Sequence, residues 1–443
     1  MMARRDYFYT IADNLGHLLR GGEVFTCYFT GEDSDFVRFN RSRIRQAGHV
    51  TQQAITLDLI EGCRHAAADV SLSGDLAVDR SRLRKLLGEL RAIRAQLPED
   101  PHLNYAREDR SSEQLHPNCL PPATEMVEHI LAAGEGQDLV GILASGAIDT
   151  GFANSLGQRN WFSRCSFNLD WSLYLHTDKA VKGCYAGFTW QQEEFANRLR
   201  SASEQLEVLI RPARNLPPGR YRVYLTPMAV DEIIELLSWS GFSLRAHRTG
   251  TTPLLHMVEQ SARLHPAVTV TENTAAGIAP NFQAAGFIRP PQVTLIDKGI
   301  YRDCLVAPRS AVEYGVPSNA AGEGEAPLSV EVAAGTLPTD SVLKMLDTGL
   351  YVSNLWYLNW SDRNAARITG MTRFATFWVD QGRIEAPVTV MRFDETIYHL
   401  FGDYLLGLTA EREVLLSPSS YGARSTRSAR LPGILVGEMN FTL

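Results

Sequence analysis

Among the 443 residues there is no apolar run long enough to cross a bilayer, so a helical membrane protein is excluded. The amino-terminal stretch MMARRDYFYTIADNLGHLL starts basic, but Asp6, Asp13 and Asn14 interrupt the apolar core that a secretion signal keeps continuous. A soluble, cytoplasmic protein without membrane contact is expected. Paired cysteines are missing too. The six lie at 27, 63, 119, 165, 184 and 304, with no Cys-x-x-Cys pair and no Cys/His spacing of a zinc ribbon or finger. Reduced, mostly buried thiols follow as the expectation. Charge of one sign is scarce: a net −7 with 21% charged residues is mild and mixed, and offers no field for nucleic acid.

Catalytic signatures are equally sparse. There is no Gly-x-Ser-x-Gly elbow, and ASGAIDTG and SPSSYGARS read as turns. GEGEAPL lacks the lysine and following helix of a phosphate loop. No short solenoid repeat is present.

What is there points to an α+β chain of two domains. Phe8, Ile11, Ala12, Leu15, Leu18 and Leu19 recur at helical spacing, and glycines end the run. Short extended segments from 23 to 72, with Ile55, Leu57 and Leu59 alternating, predict a β-meander. Leu83 to Leu97 predicts a helix stopped near Pro98, and 123–133 a shorter one. A second extended series and a long polar helix over 191–211 lead to NLPPGRYRVYLTP, where a domain boundary is expected. The division is thus an N-terminal α/β domain, 1–215, of helices and β-meanders, and a β-rich C-terminal domain, 216–443, barrel- or sandwich-like. Within the latter, YRDCLVAP reads as strand and SNAAGEGEAPL, 318–328, as a mobile surface loop.

Three groups of residues invite a chemical reading. In VDEIIELLSW, Asp231 and Glu235 share a helix face, with Glu232 beside them. Carboxylates alone suit a hard cation better than zinc, which favours imidazole and thiolate; the plainer reading is a solvent-facing acidic helix start that complements the helix dipole. His247, His256 and His265 step by nine residues, which does not align them on a helix face, and surface or loop roles are the simpler account. Finally, 349–393 reads as strand, polar turn, strand, hairpin at Asp380-Gln381-Gly382, strand. Its aromatics supply bulk for a core or a groove wall, and Asp362, Arg363, Arg367 and Arg373 form either a salt-bridged corner or a ligand clamp.

At this last segment the chain resembles the TldD/PmbA (TldE) family, long labelled modulators of DNA gyrase and associated with a metal-dependent peptidase. The match runs through Gly349, Leu350 and Val352, then Thr369-Gly370, then FWVDQGRIEAPV with Gly382 and Pro387. FVRFNRSRIRQAGHVTQQAITLDLIEGCRHAAADVSL and GRYRVYLTPMAVDEIIELL support it in the same order, so the resemblance spans nearly the whole chain. It implies an N-terminal α/β and a C-terminal β-rich domain, dimerising around an internal chamber. In the catalytic branch a helix after the VYLTP-like strand carries His-Glu-x-x-x-His, and a cysteine near the C-terminus completes a zinc site. Here the helix reads VDEIIELL and the tail RLPGILVGEMNFTL, without either histidine or the cysteine.

The resemblance therefore implies the non-catalytic TldE/PmbA branch: inactive alone, no cofactor of its own, zinc only in a TldD-like partner. Asp231, Glu232 and Glu235 are then degenerate metal-helix positions. Trp356, Asp362, Arg367, Thr369 and Arg373 are the candidate contacts for an unfolded peptide, and strands 349–358 and 371–379 the candidate edges to which it would add. Two other readings stay open: a homodimeric peptide- or ligand-binding scaffold without a proteolytic role, and a self-sufficient hydrolase with a divergent metal site.

Overall fold

The computed structural model describes residues 2–175 and 179–442. In chain order the N-terminal elements are α1 (Arg4–Gly16), β1 (Val24–Asn40), β2 (Arg43–Glu61), β3 (Arg64–Ser71), α2 (Leu76–Arg94), β4 (Ser112–Leu115), α3 (Ala123–Ala133), β5 (Asp138–Asn154), β6 (Arg159–Tyr174), β7 (Ala180–Gly187) and α4 (Gln192–Leu209). Among the described residues their strands form one sheet in the order β3-β2-β1-β5-β6-β4, with β7 also on β6.

Side chains alternate across a strand, and here the alternation divides two environments. Phe25, Cys27 and Phe29 of β1 and Ile55, Leu57 and Leu59 of β2 point toward α1 and α2 and form one core. Leu143, Phe167, Leu169, Trp171 and Tyr185 continue the same face under α3 and α4. All four helices are amphipathic and bury their apolar stripe here; α2 begins on Asp75, whose carboxylate accepts from the amides of Ala77 and Val78. The opposite face carries the intervening residues: Tyr28, Thr30, Glu32, Ser34, Gln52, Ser166, Asn168 and Asp170. A polar sheet face without helices of its own requires another cover.

The C-terminal elements supply it. They are β8 (Gly219–Leu225), α5 (Pro227–Ser238), α6 (Leu244–Arg248), α7 (Leu255–Val258), β9 (Val270–Glu272), β10 (Val293–Asp297), β11 (Ile300–Tyr301), α8 (Pro308–Tyr314), β12 (Ser329–Val332), α9 (Val342–Leu346), β13 (Gly349–Asp362), β14 (Arg367–Asp380), β15 (Arg383–Pro387), β16 (Arg392–Thr396), β17 (Leu405–Leu416) and β18 (Ser428–Phe441). The sheet path ends β12-β18-β16-β14-β13-β8, and an additional β18–β8 pairing closes β18-β16-β14-β13-β8 into a ring of strands. Val223, Leu350, Ile368, Phe393, Ile434 and Val436 fill its core. The β-rich, barrel-like expectation for this half holds.

Two local expectations are corrected. YRDCLVAP is mostly irregular, with only the short β11 and a bridge from Leu305 to Ser243. The 318–328 segment is pinned rather than mobile: Glu325 is 1% exposed, and its carboxylate accepts from Ser243 Oγ (2.6 Å) and from the amides of Arg245 (2.9 Å) and Ala307 (3.0 Å). A buried carboxylate serving three donors outweighs the glycine-rich composition that suggested mobility.

Candidate functional site

α5 starts where β8 ends. Thr226 accepts from the amide of Ala229, Pro227 takes a first-turn position that needs no N–H, and Ile233, Ile234, Leu236 and Leu237 are buried. That packing turns Asp231, Glu232 and Glu235 out of the C-terminal core. Asp231 is not at the helix start and does not simply face water; it lies in the second turn, where the dipole argument has little force. Its Oδ1 accepts from Arg427 Nη2 at 2.8 Å, and Arg427 Nη1 lies 3.9 Å from Glu235 Oε2. Burial disfavours the Arg427 charge, but Asp231 and then Glu235 outweigh it, and the guanidinium is held above its ordinary pKa. Glu232 takes no share in this bond. Desolvation and the charges of Asp231 and Glu235 push its carboxyl up to about 7, against the milder pull of Lys182 and Arg427.

Arg427 belongs to the connection between the antiparallel strands β17 and β18. Residues 417–427 leave the barrel, cross the polar face of the N-terminal sheet as a strap, and return. Asn168 Nδ2 donates to the carbonyls of Leu416 (3.1 Å) and Ser417 (3.3 Å) at one end. In the middle, Arg424 donates through Nη1 to Ser34 Oγ (3.3 Å) and the Gly146 carbonyl (3.2 Å), and through Nη2 to Ser166 O (2.9 Å) and Oγ (2.6 Å). None of these acceptors is charged, and burial lowers the guanidinium pKa to about 10. Gly146, whose carbonyl Arg424 uses, is fixed by its own sheet: with φ +142 on a strand paired to β1, any Cβ there would overlap the Asp33 carbonyl oxygen.

The strap divides the covered face in two. On one side lies a cavity of about 680 Å³ lined by Arg38, Asn40, Ile142, Asp170 and Ser420; on the other, one of similar volume is lined by Tyr28, Thr30, Glu32, Gln52 and Arg424. Lys182 and Asp170, 3.1 Å apart, stand on β7 and β6. The site is thus a polar crevice between one sheet face and the C-terminal half, lined by hydrogen-bonding groups suited to a backbone.

The other candidates lie elsewhere. Trp356, Asp362, Arg367, Thr369 and Arg373 sit on the β13–β14 hairpin. Arg373 stacks on Trp356 at 4.3 Å, Arg367 pairs with Asp394 at 3.2 Å, Thr369 donates to the Phe393 carbonyl at 2.9 Å, and Asp362 accepts from the Ala365 amide at 3.2 Å. The structure gives each a partner within the hairpin or on β16 and does not gather them around one cavity. Residues 371–379 are bonded on both sides, by β13 and by β15, β16 and their connection, so that edge is closed. On β13, residues 350–352 also pair with β8, leaving only the later part without a second strand. The histidines do not converge: His247 meets Tyr301 Oη at 2.8 Å, His256 meets Ser261 Oγ at 3.2 Å, and His265 accepts from the Ala267 amide at 3.1 Å.

The profile of the PmbA/TldA metallopeptidase C-terminal domain matches residues 218–443. The chain belongs to the TldD/PmbA family. No curated protein matches significantly. Among solved structures, TldE from Thermococcus kodakarensis superposes with a TM-score of 0.77 at 13% identity, covering 98% of this chain and all of that one (100%). A candidate modulator of a DNA gyrase from Thermotoga maritima gives 0.74 at 12% identity, with 99% of each chain covered. Another from Bacteroides thetaiotaomicron gives 0.75 at 13% identity over 100% of both. At these identities the likeness speaks for the fold.

The family description names a metallopeptidase, so the donor set of this TldD/PmbA chain can be tested against zinc. Asp231 and Glu235 are engaged by a guanidinium, no imidazole accompanies them, and among the described residues no three His, Cys, Asp or Glu side chains converge as a ligand set. The half-buried Cys184 thiol is pushed well up in pKa by desolvation and then by the Glu413 charge, with Asp231 a lesser influence, toward the protonated form that does not ligate. These residues do not fit a tight zinc site. Arg427, Arg424 and Glu32 were not singled out from sequence; the signal available was a pair of arginines three apart in a Ser/Gly-rich turn just before a strong strand.

Proposed function

We propose that this chain is a TldE-like, metal-free subunit of a TldD/TldE-type peptidase system, one that shapes a chamber for an unfolded peptide while a TldD-like partner supplies zinc. The observation that carries the reading is Arg427 against Asp231 and Glu235: a fixed organic cation stands among the carboxylates of α5. A guanidinium occupies the place of a cation beside Asp231 and Glu235 without an open coordination position for a substrate or water, so it offers structure in place of Lewis-acid chemistry.

The peptide part of the reading is supported by the crevice. Its lining of Thr, Ser and Gln side chains on one side of the strap and of Asn40 and Ser420 on the other can bond main-chain groups with little demand on sequence. The exposed β13–β14 residues, Trp356 and Arg373 among them, serve in this reading as an outer contact for the same peptide or for the partner.

Co-expression with a His-Glu-x-x-x-His homologue tests it. Peptidase activity on an unfolded substrate is expected to exceed that of the homologue alone. Activity equal to the homologue's, with no complex in size-exclusion chromatography, would leave a homodimeric scaffold as the better account.

A further inference from the structure

The cavity between the strap and β1, β2 and β5 contains an unmatched acceptor. Glu32 is 3% exposed and lines this space of about 680 Å³. Its Oε2 accepts from Gln52 Nε2 at 2.8 Å and from the Arg424 amide at 3.3 Å. Its Oε1 is buried and has no partner. The Arg424 guanidinium lines the same cavity but is fully directed at Ser34, Gly146 and Ser166, and forms no ion pair with Glu32. A buried carboxylate oxygen left this way calls for a donor, and a cationic one most strongly.

The acidic groups of the neighbouring positions lie on the other face of the sheet, toward α1, and are already matched. Asp33 and Asp149 share Arg4 at 3.0 and 2.9 Å, and His49 bridges Asp33 and Asp35, each at 2.9 Å. Glu32 points to the opposite face, where the Arg424 guanidinium shares its cavity but spends its donors on neutral acceptors. Among the described residues Glu32 forms no salt bridge, and its Oε1 keeps no donor. A cavity of this volume admits a side chain and part of a backbone.

We propose that this cavity is a subsite for a basic group of the bound chain, an alkylammonium or guanidinium, accepted by Glu32 Oε1. The proposal rests on the reading of the crevice as a peptide groove and gives that groove its selectivity: near one position it favours lysine, arginine or a free α-amine. Gln52 and the Arg424 amide then act as positioning groups, holding Oε2 and leaving Oε1 as the free acceptor.

The test uses the full chain and fluorescein-labelled, unstructured peptides of Gly, Ser and Ala with one central lysine, norleucine or glutamate, each with a free or acetylated N-terminus, read by anisotropy. Agmatine, which carries no peptide backbone, is titrated calorimetrically in parallel. The lysine peptide is expected to bind about tenfold tighter than the norleucine peptide, with the glutamate peptide weakest, and Glu32→Gln is expected to erase the difference. If the preference follows the free N-terminus instead of the lysine, the α-amine is the group accepted.

Equal affinity for lysine and norleucine peptides overturns the subsite and leaves the groove standing. Agmatine binding that depends on Glu32, with no peptide bound, overturns the groove and leaves the subsite. Binding of neither probe overturns both. Should Glu32→Gln not fold, the lysine-against-norleucine contrast in the unaltered protein decides alone.

Discussion

Arg427 and Asp231, 196 positions apart in sequence, meet with Nη2 2.8 Å from Oδ1. The contact fastens the last residue of a strap to the second turn of a helix. Both side chains are largely buried, at 15% and 22% exposure, so removing one partner strands the other in the crevice. Arg427→Met is expected to lower stability by about 1–3 kcal/mol, read as a drop in the urea midpoint. A double-mutant cycle with Asp231→Asn should show positive coupling; additive losses would mean that the two side chains do not act as a pair.

Glu232 gives the same helix a pH dependence of its own. Its carboxyl is raised from 4.5 to about 7 by desolvation and the neighbouring carboxylates. In the folded state it therefore holds a proton that the unfolded chain has released, and stability falls as pH rises from about 4.5 to about 7. Glu232→Gln should remove that fall. Thermal melts at pH 5 and pH 8 check it: the variant gains on the parent at the higher pH, whereas an unchanged difference between the two proteins would contradict the assignment.

Far from the crevice, Glu23 has the opposite sign. Bonds from Arg91, the Arg20 amide and Arg94 hold it down to about 2, with Arg91 the largest influence and desolvation opposing it. The stability it contributes is present above about 4.5 and is lost as pH falls toward about 2. Glu23→Gln is expected to flatten the acid limb of the stability profile, measured by circular dichroism between pH 2 and pH 6, and to leave the alkaline side alone.

The strap is expected to loosen when its central anchor is removed. Tyr421 is fully exposed, and the segment around it is held through Arg424 on the sheet and Arg427 on α5. Arg424→Ala should make chymotryptic cleavage after Tyr421 faster by roughly tenfold, as the opening free energy drops by about 1.4 kcal/mol. A cleavage rate unchanged from the parent would show that Arg424 does not fasten the strap.

Much of the fold was legible because it follows local periodicity. Leu83, Leu87 and Leu90 marked α2, Met126, Val127 and Ile130 marked α3, and Ile55, Leu57 and Leu59 marked the buried face of β2; all are buried as that spacing requires. The position of α5 was legible from its strand-Pro-acidic pattern and the family resemblance. Its partner was not. Arg427 sits in a Ser/Gly-rich stretch whose composition signals a turn, and no local rule connects it to a helix 196 residues earlier. Glu32 was hidden for a related reason: on β1 it reads as one more solvent-facing residue, and only the strap laid over it makes it buried. Composition misled at 318–328, where buried Glu325 holds a glycine-rich loop in place. Glu325→Ala is expected to cost about 2–4 kcal/mol, a loss that a free loop would not produce.

Whether α5 holds zinc is the question on which the functional reading stands, and the metal content of the purified, full-length chain answers it directly. After expression in zinc-supplemented medium and gel filtration without chelator, elemental analysis should find well below one zinc per chain, because Arg427 already bonds Asp231 and stands beside Glu235, and no imidazole or thiolate joins them. One zinc per chain, lost together with an intrinsic peptidase activity on chelation and absent from Asp231→Ala, would contradict the account.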